Sequence, residues 1–174
     1  MIALAAMFVL APLARPDFES LFDEASKLYD FGNPRAALSK IAQIKAQYPN
    51  EYKGVRLYHI EVTLAANEQQ GRVFMKSLID GAFATDPTQL AGIAPAVEHL
   101  KKVQPATWQL ALSAAKKAAR LAPKSAEAQE AIGICYIGLG QKPLARQAFT
   151  SAIAKAKRDP KPDMVWIEWP PQKG

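Results

Sequence analysis

From Ile132 to Ala152 the chain reads IGICYIGLGQKPLARQAFTSA, and its apolar positions recur at helical rather than strand spacing. Ile132, Gly133 and Tyr136 share one helical face, Ala145, Phe149 and Ala152 share a second at spacings of four and three, and Gly140 separates the two. Two short helices with complementary faces follow. A large residue beside a small one, Ile132 beside Gly133, lets the second helix approach closely, and Phe149 is the large side chain that fills the space left.

The same pattern recurs towards the amino terminus. Asp17 is placed to cap a helix carrying Leu21, Ala25 and Leu28; Gly32 and Asn33 break it, and Pro34 opens a second helix with Ala37, Ile41 and Ile44 along one face. After Pro49-Asn50, Val55, Tyr58, Val62 and Ala66 line a third helix, a turn is expected at Gln70-Gly71, and Met75, Ile79 and Ala82 line a fourth. Because large residues replace the small ones here, this pair is expected to be splayed or irregular. In AGIAPAVEHLKK, Gly92 and Pro95 are expected to interrupt the next helix. Pro105 then opens a helix with Ala111, Ala115 and Ala118 on its close-packing face, and Ser125 and Pro143 are placed to start the last two helices. Prolines 49, 87, 123 and 160 follow helical stretches at intervals of 38, 36 and 37 residues (87−49, 123−87, 160−123). Period, helix-opening prolines and small-residue faces agree on one register, which predicts eight helices in four antiparallel pairs; a non-repeating helical bundle is the alternative.

The order of residue types in residues 132–152 resembles the tetratricopeptide repeat, whose period is about 34 residues. The resemblance covers residues 18–160, closest over 125–160 and weakest between the first and last repeats. It implies an all-α, right-handed solenoid that binds a protein or peptide partner on a concave surface lined by the first helix of each pair. Carried over residue by residue, that surface would contain Phe22, Ser26 and Tyr29, then Ile60, Leu64 and Asn67, then Glu127, Glu130, Ile134 and Ile137. These are not the lysines and asparagines with which some members clamp a carboxyl terminus. An apolar groove with an acidic rim instead suits a peptide with hydrophobic anchors and positive charge. The competing reading of these residues is that several pack between adjacent repeats.

Composition narrows the rest. With 174 residues, 49% hydrophobic and 22% charged, the chain has the makings of one core without staples. Its single cysteine, Cys135, excludes an intramolecular disulfide and a cysteine-cluster metal site, and its apolar setting makes it core filler. The net charge of +6 is uneven: residues 1–100 carry nine Lys/Arg against eleven Asp/Glu, and 101–174 carry thirteen against five. Lys116, Lys117, Arg120, Lys124, Lys155, Lys157 and Arg158 could therefore form a basic face for an acidic polymer or nucleic acid. No aromatic residues interleave with them to stack bases, which argues against nucleic acid, and a solvated helix face is the favoured account of them.

No catalytic constellation is present, and no cofactor or metal motif. His59 and His99 stand apart, and Glu98-His99 places its side chains on different helical faces. The function expected is that of a non-catalytic interaction adaptor. Residues 1–14, MIALAAMFVLAPLA, have the length and apolarity of a signal-peptide core, without the preceding basic residues and with Pro12 near the cut. An exported protein, periplasmic or extracellular, is expected, with membrane attachment only through that segment if uncleaved; a buried first segment is the alternative, leaving the protein cytoplasmic. Residues 161–174, KPDMVWIEWPPQKG, cannot continue a helix through their prolines, and their apolar residues are expected either to cap the helical array or to dock into a partner.

Overall fold

The structure, a computed structural model, describes residues 16–157. The expected signal segment, the repeat boundary at Pro160 and the tail lie outside the described residues. Within them the chain is all-helical: α1 (Phe18–Asp30), α2 (Pro34–Gln47), α3 (Tyr52–Ala66), α4 (Glu68–Asp80), α5 (Pro87–Glu98), α6 (Pro105–Leu121), α7 (Ala126–Gly138) and α8 (Lys142–Ala156). Consecutive helices pack as pairs: α1 on α2, α5 on α6 and α7 on α8, while Gly71 of α4 lies against Leu64 of α3 beside their turn. The chain divides after Gly54 into two compact units.

In the first unit, Leu21 and Ala25 of α1 and Ala37, Ile41 and Ile44 of α2 are fully buried. The turn between the helices is set by three consecutive residues. Gly32 takes a φ of +77°, which side chains disfavour. The Asn33 amide donates back to the Leu28 carbonyl at 2.8 Å, and its side chain accepts from the Ala36 amide at 3.2 Å. Pro34 is then the first residue of α2, where a missing N–H costs nothing. Asp17 caps α1 as expected, accepting from the Ser20 amide at 2.7 Å.

The second unit repeats this turn between α7 and α8. Gly140 has φ +73°, and the Gln141 amide donates to the Tyr136 carbonyl at 2.8 Å. Phe149 fills the space over Gly133 as the pattern predicts: a Cβ there would come within 2.6 Å of its ring. The core runs from Ile60 and Met75 through Phe83, Leu90 and Ile93 to Trp108, Ala115 and Cys135. Alanines 111, 114, 115 and 118 of α6 are fully buried, and this small-residue surface lets α6 pack closely against its neighbours α5 and α7.

Two expectations fail. The turn of the second pair lies at Asn67, which caps α4 by accepting from the Gln70 amide at 3.0 Å; Gln70 and Gly71 are inside α4. Gly71 gives a close approach beside that turn, since a Cβ there would lie 2.7 Å from the Leu64 Cα. Secondly, α5 runs unbroken through Gly92 and Pro95. The Pro95 ring faces outwards, where its cost is one backbone hydrogen bond, and Gly92 is small because a Leu57 methyl occupies the place of its Cβ.

Candidate functional site

A groove of about 650 Å³ lies between the first helices of the last two pairs, α5 and α7. Pro87, Thr88, Ala91, Gly92 and Pro95 form the α5 wall, and Glu127, Glu130, Ala131 and Ile134 the α7 wall. Three of the residues expected on the concave surface, Glu127, Glu130 and Ile134, thus come together on one wall. The α6–α7 connection closes one side with Ala122 and Lys124, and the last turn of α8 adds Lys155 and Ala156.

The walls are nearly devoid of large side chains, so an occupant would meet backbone at close range. Pro95 has no N–H to give the Ala91 carbonyl, so that acceptor beside the groove lacks its helical donor. The groove's carboxylates are both on α7, and Lys124 and Lys155 set two cations on its other edges. Burial, and then the neighbouring Glu127 and Glu98 carboxylates, push the Glu130 carboxyl above its ordinary value. A cation placed there would relieve that repulsion. Glu127 also accepts from the Ser125 hydroxyl at 2.7 Å, while the Ser125 oxygen caps α7 by accepting from the Ala128 amide at 3.0 Å. Lys155 is pinned by a 2.5 Å hydrogen bond to the Pro123 carbonyl, which ties α8 to the groove's edge.

The other expected groove residues are elsewhere. Ile60 is fully buried and Leu64 is 4% exposed, both in the core beside Met75 and Ile79, because α3 is enclosed along its whole 60–64 stretch. They are packing residues and cannot meet a ligand. Asn67 caps α4 and edges a separate shallow hollow with Gln70, Val73 and Phe74. Ile137 is 53% exposed one turn beyond Ile134, outside the groove lining. Phe22, Ser26 and Tyr29 are half-buried on α1 in the first unit, with Phe22 stacked on Phe18 at 6.0 Å. The α5 wall does not show in the sequence, where Gly92 and Pro95 look like breaks.

The basic residues do not converge. Lys116 sits over the Tyr136 ring at 5.7 Å, Lys117 donates to the Ile79 carbonyl at 3.0 Å, and Lys155 is held as above. Arg120, Lys124 and Lys157 are exposed, and Arg158 lies outside the described residues. Among the described residues no group of His, Cys, Asp and Glu could hold a metal ion, and no helix is long and apolar enough to cross a membrane. The two histidines are apart: His59 packs on the Phe74 ring at 4.3 Å, and His99 Nδ1 lies 3.3 Å from the buried Glu61 carboxylate.

These features define a helix-pair repeat with one shallow-walled, acidic-sided groove. No family model matches the chain, and no curated protein matches it. Among solved structures, the crystal structure of MamA is similar at 17% identity and a TM-score of 0.49, over 80% of this chain and 78% of that one. MamA residues 41 to the end from Desulfovibrio magneticus RS-1 is similar at 16% identity and a TM-score of 0.49, over 83% and 78%. Likeness at this level bears on neither partner nor role.

Proposed function

We propose that the protein is a non-catalytic interaction scaffold whose groove between α5 and α7 receives an extended segment of a protein partner. The observation that supports this is the groove itself: small-residue walls that leave room for an occupant's side chains, a carbonyl without its helical donor, and the Glu130 carboxylate, whose ionisation burial and its neighbours oppose. The segment expected is apolar with at least one Lys or Arg. We further propose export of the mature chain, beginning near Arg15, on the apolar character of residues 1–14. Mass spectrometry of the amino terminus isolated from the native cell checks that point.

Selection of the full-length protein against a displayed random peptide library tests the groove. Enriched peptides should carry a basic residue among apolar ones and lose binding to Thr88→Trp, which fills the groove from its α5 wall, and to Glu130→Lys. Peptides indifferent to both variants would move the binding site elsewhere. An acidic-polymer reading has weaker support, since Lys116, Lys117 and Lys155 are engaged within the fold. It would require binding that falls about 10³-fold or more between 50 and 200 mM salt.

A further inference from the structure

The first and last helices carry opposite charge. From Ala131 to Lys157 the chain has no Asp or Glu, and α8 with its C-terminal neighbour holds Lys142, Arg146, Lys155 and Lys157. Alanines 145, 148, 152 and 156 form the buried face of α8, which packs on α7. The opposite face has no described helix over it: Arg146, Thr150, Ile153 and Lys157, all exposed, recur there at spacings of four, three and four. On α1 and its cap the balance is reversed, with Asp17, Glu19, Asp23, Glu24 and Asp30 against Lys27. Its outward stripe is Glu19, Asp23, Ser26 and Asp30, again at spacings of four, three and four, with the three carboxylates exposed and Ser26 half-buried.

We propose that α8 of one copy of the chain lies antiparallel along α1 of another, so that the protein assembles head to tail through surfaces separate from the groove. In that register Arg146 faces Asp30, Thr150 faces Ser26, Ile153 lies over the Asp23–Lys27 ion pair, and Lys157 faces Glu19. The outer charges stand eleven residues apart on both helices, about 16 Å, so both pairs can close together. Direction is set by what lies beyond the stripes. Antiparallel packing brings Phe31, 87% exposed after the end of α1, beside Leu144, 42% exposed in the first turn of α8, and it opposes the two helix dipoles. The other charges nearby are held elsewhere or enter the balance: Lys27 is bonded to Asp23 at 2.6 Å, Lys40 of α2 to Glu24, and Lys155 to the Pro123 carbonyl. Arg35, in the first turn of α2, falls at the Lys142 end and is the like-charge approach that the register has to bear. The charged residues beyond Lys157 lie outside the described residues, and the match does not use them. Because the two surfaces differ, each copy keeps one of each free, and the contact repeats from copy to copy.

Sedimentation of the full-length chain at low salt tests the contact. Wild-type mass should rise with concentration past that of a dimer. Reversing one surface, by Arg146→Glu/Lys157→Glu on α8 or Glu19→Lys/Asp30→Lys on α1, should weaken the association about tenfold or more. Each reversed variant repels its own kind and matches the other, so an equal mixture of the two should regain the assembly, which a variant that had merely lost its fold could not do. A wild type that stays monomeric at about 1 mM, the range of the weakest contacts, overturns the proposal. So does association that neither reversal weakens, a mixture that stays monomeric, or mass that stops at the dimer. The register is read from a chain carrying Asp30→Cys and Arg146→Cys, in which the buried Cys135 does not compete. An added oxidant should form disulfides between molecules. A disulfide within the monomer would mean that α8 meets its own α1, and no disulfide would mean that the stripes do not meet; either result overturns the proposal.

Discussion

Gly133 and Gly54 are both helical glycines, and their surroundings oblige opposite outcomes on substitution by alanine. At Gly133 a methyl would sit 2.6 Å from the Phe149 ring, so the gain in helix propensity is outweighed by overpacking, and Gly133→Ala should cost about 1–2 kcal/mol. At Gly54 nothing lies within 4 Å, and Gly54→Ala should stabilise by up to about 1 kcal/mol. Urea unfolding of both variants checks the pair; a stabilising Gly133→Ala would remove Phe149 from its assigned place. Cys135 reports on the same packing. Burial, and then Glu98, push its thiol up to about 12, so at pH 8 about one molecule in ten thousand carries the thiolate. It should ignore a thiol-specific disulfide reagent until the protein is unfolded. Glu130 carries the pH dependence of the groove. The folded chain holds its proton more tightly than the unfolded chain, whose value is near 4.5, so ionisation works against the fold as pH rises through the raised value. Glu130→Gln should therefore raise Tm at pH 7 and lose that advantage at pH 4. At this scale the large-small logic of Ile132, Gly133 and Phe149 was legible in the sequence, because few roles apart from close packing call for a glycine and an aromatic at matched positions.

Among the helices, the caps and opening prolines were legible for the same reason: Asp17, Ser125, Pro34 and Pro105 act through their immediate neighbours in the chain. What escaped were features that another helix settles without a matching pattern in the sequence. Gly71 looks like a turn residue and is a packing residue, because only Leu64 across the pair distinguishes the two. Pro95 and Gly92 look like breaks for α5, yet one faces outwards and the other receives Leu57, and an interrupted α5 would leave the groove without its nearer wall. Ala82 looks like the last apolar contact of α4, which ends at Asp80, and Phe83 beyond it is the fully buried side chain. The start of α6 is the clearest case. Gln104 gives it no side-chain cap; instead the Glu68 carboxylate, opening α4, accepts from the Gln104 amide at 2.8 Å and from the buried Thr107 hydroxyl at 2.5 Å. Arg72 adds a 3.0 Å bond to the Gln104 side chain. Glu68→Ala strands Thr107 and should cost about 1–3 kcal/mol. In combination with Thr107→Val the costs should fail to add, by about 0.5–3 kcal/mol, in a double-mutant cycle on thermal unfolding; simple additivity would show that the two helices are not joined through this pair.

For the whole molecule, the division after Gly54 matters more than the repeat count. The first unit's described core rests on Leu21, Ala25, Ala37, Ile41 and Ile44, with Tyr52 beneath the Lys45 ammonium at 5.7 Å, whereas the second joins six helices around one continuous apolar cluster. A small unit buries a smaller share of its chain and opens more readily, and an array of helix pairs has no obligation to open all at once. The sequence showed one period running the length of the chain and so suggested equal repeats; it could not show how little apolar surface the first pair encloses, since that depends on which faces meet. Native-state hydrogen exchange resolves the point. The amides of Ile41 and Ile44 should exchange through an opening of lower free energy than those of Ile93 and Ala115, and mild denaturant should separate the two sets further. If both sets instead converge on one global unfolding, the chain folds as a single cooperative body and the groove of the second unit depends on the first for its stability.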